Sequence, residues 1–140
     1  GNLVEPILAG IPITTFIMLF ADRGPTTISR VPTNSQALAI WQGALASLVR
    51  DEVHDLTVRQ LAILSTVYTA NTPPTIRGLS AELSLAKPVV TRAVDTLEKH
   101  DLCRRHPDGS DGRSVIIQRT VRGSVYTAAL GDEIKKSLLT

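Results

Sequence analysis

Apolar residues recur at helical spacing over most of the chain beyond residue 34, and the places where that spacing lapses mark its turns. Leu38, Trp41, Leu45 and Leu48, widened by Ala37, Ile40 and Ala44, predict a helix over 35–50. Leu61, Leu64, Val67 and Tyr68 predict the buried side of a second helix to about residue 70, which Pro73 and Pro74 end. Thr57 and Gln60 have the form of a capping box at its start, with Leu56 and Leu61 as the hydrophobic staple around it. A short helix over 77–83 follows, anchored by Leu79 and Leu83 and capped by Thr75. Val90, Ala93, Val94 and Leu97 then share one stripe of a helix over 87–100. Pro88, Arg92, Asp95 and Lys99 lie opposite, with Thr91 and Thr96 on the flanks.

Past His100 the period changes. Residues 102–106 and 114–119 read as strands, the second richer in β-branched side chains. The stretch 107–113 between them is dense in turn formers and has no apolar side chain beyond its proline. A last helix starts with Thr120 as N-cap and carries Val121, Val125, Leu130, Ile134 and Leu138. The helix over 77–83 is too short to stand alone, so with its successor it forms a corner. Helix, turn, helix, hairpin over 75–122 is the order of a winged helix-turn-helix. The fold class expected is mainly α with a small β-hairpin wing.

The first 34 residues follow a different pattern. Pro6 to Ala21 carries no charge and holds Ile7, Leu8, Ile11, Ile13, Phe16, Ile17, Met18, Leu19 and Phe20. Gly10 and Pro12 interrupt it, and it falls short of the roughly 20 apolar residues that span a bilayer. A signal peptide's basic start and small-residue cleavage site are not evident. The expectation is an apolar arm packed on a partner subunit, helical over 13–21, since so much apolar surface is costly to leave in water. Residues 22–32, with Gly24, Pro25 and Pro32, form the linker. The division expected is an arm and linker over 1–34 and a winged-helix domain over 35–140.

Charge sharpens the picture. The formal net charge is +2 and the pI about 9.0. Of the 15 Lys and Arg, 12 lie beyond residue 56, against 8 of the 13 acids, so the basic end is the helix-turn-helix end. One cysteine excludes an intramolecular disulfide and fits a reducing cytoplasm. His100, Cys103 and His106 sit at three-residue intervals, as in some zinc sites, but residues three apart on a strand point to opposite faces. A buried strand thiol is the expectation for Cys103. No Ser/His/Asp order, phosphate-binding glycine loop or paired carboxylates stand out. No catalysis, metal or cofactor is expected.

Four segments carry a resemblance: Leu56-Thr57-Val58-Arg59-Gln60-Leu61, Lys87-Pro88-Val89-Val90-Thr91-Arg92-Ala93-Val94-Asp95-Thr96-Leu97-Glu98, Asp111-Gly112-Arg113-Ser114 and Thr120-Val121-Arg122-Gly123. In this order, residues 56–123 resemble the MarR family of bacterial winged-helix regulators. The resemblance implies a cytoplasmic, sequence-specific transcriptional regulator, a repressor, acting as a homodimer on pseudo-palindromic double-stranded DNA. It implies no membrane partner, and a small aromatic effector as a further one. Residues 87–92 would then face the major groove. Phosphates would be held by Arg77, Lys87, Arg105 and Arg113, and bases read by Pro88, Val89, Thr91 and Arg92, with Asp111 orienting Arg113 at the wing tip. The DNA-binding core would span 56–120, and helices over 35–50 and 121–140 would dimerise through Leu38, Trp41, Leu45, Ile134 and Leu138, joined by Phe16 and Leu19 of the arm.

Two positions depart from the family pattern: Ala86 stands where it usually has a Ser or Thr cap, and Asp101 where it often has glycine. The family usually has a further long segment for dimerisation after the last helix, and the arm is the candidate to replace it. A competing expectation is a protein-interaction module that keeps the winged fold without reading DNA. Salt-dependent DNA binding separates the two. A third, an arm-anchored membrane-surface protein, is tested by liposome flotation.

Overall fold

The computed structural model describes residues 31–110 and 112–139, which form α1 (Asn34–Val49), α2 (Val58–Thr69), α3 (Ile76–Leu83), α4 (Lys87–Lys99), β1 (Cys103–Pro107), β2 (Val115–Arg119) and α5 (Val121–Leu139). The helix expected over 13–21, the dimer contacts expected of Phe16 and Leu19, and Asp111 lie outside the described residues. Packing separates a unit ending at Leu38 from one beginning at Ala39. In the first, Thr33 opens α1 through a reciprocal box with Gln36. The threonine Oγ1 accepts from Gln36 N at 3.2 Å, and Gln36 Oε1 accepts from Thr33 N at 2.9 Å.

The second unit holds the core. The box expected at Thr57 forms, its Oγ1 accepting from Gln60 N at 3.2 Å while Gln60 Oε1 accepts from Thr57 N at 2.8 Å. The expected stripe of α4, Val90, Ala93, Val94 and Leu97, is buried entire. Leu79 of α3, Leu102, Cys103 and Ile117 complete the core with α2. On α2 the buried set is turned from the one expected: Ile63, Leu64 and Val67 are buried, whereas Leu61 and Tyr68 stay half-buried. The helix is packed by α4 and α3 as well as by β2 and α5, so the residue between the predicted positions takes the deepest place.

Short polar contacts shape the corner between α3 and α4. Ser84 closes α3 in the left-handed region (φ 52°, ψ 42°), and Ser80 Oγ donates to Leu85 O at 2.5 Å while Leu85 N donates to Ser80 O at 3.1 Å. The hairpin is antiparallel, with Cys103 opposite Arg119 and Pro107 opposite Val115. One feature of the wing was not foreseen. Thr75 bridges to Ile116, and Ile117 N donates to Pro74 O at 2.8 Å, so the proline-closed end of α2 flanks the sheet.

Tyr68 ties the wing to the last helix. Its hydroxyl donates to Leu102 O at 2.7 Å and accepts from Thr120 N at 3.0 Å. Arg119 lies over the Tyr68 ring at 5.6 Å and donates to Val67 O and Ala70 O. Thr120 caps α5 as expected, Oγ1 accepting from Gly123 N at 3.0 Å and donating to Asp101 O at 2.6 Å. Gly123 packs so closely here that a Cβ would overlap both Tyr68 Oη and Leu102 O. Among the described residues, no helix is long and apolar enough to cross a membrane.

Candidate nucleic-acid interface

Burying the Val90/Ala93/Val94/Leu97 stripe leaves the other face of α4 outside. Lys87, Pro88 and Arg92 are exposed, and Val89 and Thr91 half-buried. Thr91 Oγ1 donates back to Lys87 O at 3.0 Å, as a mid-helix threonine often does. Ala86 supplies no side-chain cap, but the first turn closes through its backbone: Val89 N and Val90 N donate to Ala86 O at 2.9 and 3.2 Å, and Pro88 has no N–H to satisfy. The departure at residue 86 therefore leaves the helix start intact. Arg77 is exposed on α3. Among the described residues, neither it nor Lys87 or Arg92 makes an ion pair.

The wing tip is set by Asp108, whose Oδ1 accepts from Ser110 N at 3.0 Å and Ser110 Oγ at 2.8 Å. These hydrogen bonds hold its carboxyl below the usual carboxylate range. Asp108 N donates to Ser114 O at 2.9 Å, closing the loop that carries Gly112 and Arg113, both exposed. The support expected for Arg113 from Asp111 falls outside the described residues.

Arg105, expected as a phosphate contact, is placed differently from its neighbours. Its guanidinium is enclosed by Asp95 at 2.7 Å, Glu98 at 2.5 Å and Thr91 O at 3.2 Å. Burial opposes its charge, but the hydrogen bonds to Asp95 and Glu98 outweigh that and raise its pKa. Neither acid was singled out from the sequence, because both look like solvated positions on an outward helix face.

Two further groups lie apart from α4. His54 Nδ1 pairs with Asp51 Oδ2 at 2.9 Å, and the His54 ring meets His100 and Tyr126 edge-on, both at 5.1 Å. Burial works against the Asp51 charge, yet hydrogen bonds from Val53 N and His54 keep its pKa low. Beside this cluster is an open cleft of about 590 Å³ lined by His54, Asp101, Val121, Arg122, Val125 and Tyr126. The Tyr126 hydroxyl is the one buried side-chain polar atom without a hydrogen-bond partner among the described residues. Of the expected dimer residues, Leu38, Trp41 and Leu138 are exposed and Leu45 and Ile134 half-buried. Cys103 faces the core, His106 faces solvent and His100 meets His54 edge-on, so the three side chains do not converge.

Comparison with known proteins adds four likenesses. The MarR family model matches residues 56–115. An uncharacterised HTH-type transcriptional regulator of Bacillus subtilis (strain 168), YhbI, is 29% identical over 106 residues, covering 76% of this chain and 68% of its own. Among solved structures, the transcriptional regulator Tm0710 from Thermotoga maritima is 25% identical, with a TM-score of 0.62 over 73% of this chain and 68% of that one. A MepR mutant from S. aureus, bound to an oligodeoxyribonucleotide, shares the fold at a TM-score of 0.62 and 24% identity, over 74% of this chain and 75% of its own.

Proposed function

We propose that this chain, whose residues 56–115 match the MarR family model, is a transcriptional regulator of that family, and that it binds a pseudo-palindromic DNA operator as a homodimer and represses transcription in the cytoplasm. The carrying observation is the outer face of α4, where Lys87, Pro88 and Arg92 are exposed opposite a fully buried stripe. A helix fixed this firmly on one side and basic on the other suits the major groove. Arg77 and Lys87, with Arg113 at the wing, hold phosphates. Arg92 and Thr91 reach base edges, and Pro88 and Val89 supply apolar contact to thymine methyls.

One such helix reads only a few base pairs. Two of them, about 34 Å apart, read successive turns of one DNA face, which is why the activity requires a dimer. Leu38, Trp41 and Leu45 of α1 and Ile134 and Leu138 of α5 form its contacts, aided by Phe16 and Leu19. The cleft beside His54 and Tyr126 is the place proposed for a small aromatic effector. Its aromatic edges, the Arg122 side chain and the unpartnered Tyr126 hydroxyl suit a ring bearing a polar group. The activity proposed is binding, not catalysis.

Selection of bound sequences from random DNA tests this directly. An enriched two-fold motif is expected, with affinity falling steeply as salt rises. Arg92→Ala should weaken binding by about 1–3 kcal/mol and relax preference at one position in each half-site. Failure to enrich any motif, with only salt-independent contacts, would favour the interaction-module alternative.

A further inference from the structure

Arg105 leaves β1 on the side of α4 and meets three acceptors there: Asp95 Oδ1 at 2.7 Å, Glu98 Oε2 at 2.5 Å and Thr91 O at 3.2 Å. Its backbone amide also donates to Glu98, at Oε1, 2.7 Å away. In the hairpin register Arg105 stands opposite Ile117, whose own amide turns the other way to Pro74 O. Glu98 thus occupies the outer edge of β1 as a neighbouring strand would, and receives both the amide and the guanidinium of one residue. Thr91, Asp95 and Glu98 are spaced at four and three residues, so a single side chain grips two turns of one helix face. That face adjoins Arg92, and its first residue upstream is Lys87.

Only a planar guanidinium can reach this set. Its forked donors serve two carboxylates and a carbonyl together, whereas an ammonium acts as a point charge. With these bonds made, little of the group is left over for a phosphate, since its side chain is 27% exposed.

We infer that Arg105 is a positioning residue for DNA recognition: it fastens the wing strand to α4 so that the helix and the wing tip meet the duplex in one fixed geometry, and it does not itself hold phosphate. This rests on the DNA-binding role proposed above. A brace of this kind governs how well a particular sequence is fitted, more than how strongly any DNA is attracted, because non-specific binding is almost wholly electrostatic.

Affinities for a selected site and for random duplex, measured across a salt series well below the melting midpoint, separate the alternatives. Arg105→Ala should lower affinity for the selected site about tenfold, within the range for coupled neighbouring groups, and leave random-duplex binding nearly unchanged. Arg105→Lys keeps the charge and should fail to restore the selected site. Glu98→Gln should also weaken the selected site, although it removes a negative charge from the DNA-facing side. The opposite pattern overturns the inference: Arg105→Lys binding like the parent, equal losses on both DNAs from Arg105→Ala, and a salt slope shallower by about one. Amide exchange in the DNA-free protein gives a second measure, in which Arg105→Ala should speed exchange at the Arg105 amide while Leu64 and Val94 stay protected. Unchanged exchange there overturns the brace whatever the DNA result. Arg92→Ala and Lys87→Ala serve as controls, since their failure to affect binding would overturn the groove-facing role of α4 instead.

Discussion

Cys103 is 1% exposed at the start of β1. Burial, and then the Glu98 carboxylate, push its thiol from 9.0 up to about 12, with Arg105 pulling weakly the other way. The thiolate is the reactive form, so this sulfur is inert in the folded protein near neutral pH. The same shift sets a pH dependence. The folded thiol keeps its proton to about pH 12, while the unfolded one releases it near 9.0. The stabilisation is therefore complete below pH 9 and is lost as pH rises through that window. Urea midpoints at pH 8 and pH 10.5 should fall more for the parent than for Cys103→Ala, after the smaller core side chain has lowered both. A thiol reagent at pH 8 should label the native protein only as fast as it unfolds. Rapid labelling of folded protein would show that the sulfur is reached from solvent.

Among the elements, the contacts of Tyr68 decide how α2, the wing and α5 are joined. A single hydroxyl serves Leu102 O and Thr120 N, 34 and 52 residues away in the chain. Tyr68→Phe leaves both backbone groups without that partner and should lower stability by about 1–3 kcal/mol. Gly123→Ala should do at least as much harm, because its Cβ would overlap the same hydroxyl and the Leu102 carbonyl. In the Tyr68→Phe background part of that overlap is gone, so thermal melts of the double variant should show less than the sum of the two losses. Strict additivity would mean that the glycine is required for some other reason.

At the scale of the whole molecule, the exposed apolar side chains bear on assembly. Trp41 and Leu138 remain 50% and 42% exposed, apolar surface that the proposed dimer would cover. We expect deletion of residues 1–24 to shift the protein toward monomer or aggregate by light scattering, and DNA affinity to fall with it. A truncated protein that stays dimeric and binds its selected site normally would show that α1 and α5 suffice. Dimerisation also bears on charge. Two copies on one operator double the number of phosphate contacts, and the salt dependence steepens with that number.

Local physics made much of this protein legible before any coordinates. Helix caps at Thr57, Thr75 and Thr120, the four-residue stripe of α4 and the turn between the strands are contacts within a few residues of chain, and periodicity reports them directly. The exposed face of α4, and with it Pro88 and Arg92, followed from the same stripe by exclusion, whereas Lys87 entered only through the family resemblance. What tertiary packing alone decided lies at longer range. Which residue of α2 goes deepest, Ile63 and not Leu61, depends on the directions from which four other elements approach. The Thr75–Ile116 bridge was hidden because prolines argue against a strand, although a single flanking bridge tolerates them. The partners of Arg105 were hidden by distance along the chain. A basic residue beside a basic loop looks free for phosphate until the fold brings Asp95 and Glu98 to it, and no spacing in the sequence records where two separate elements will cross.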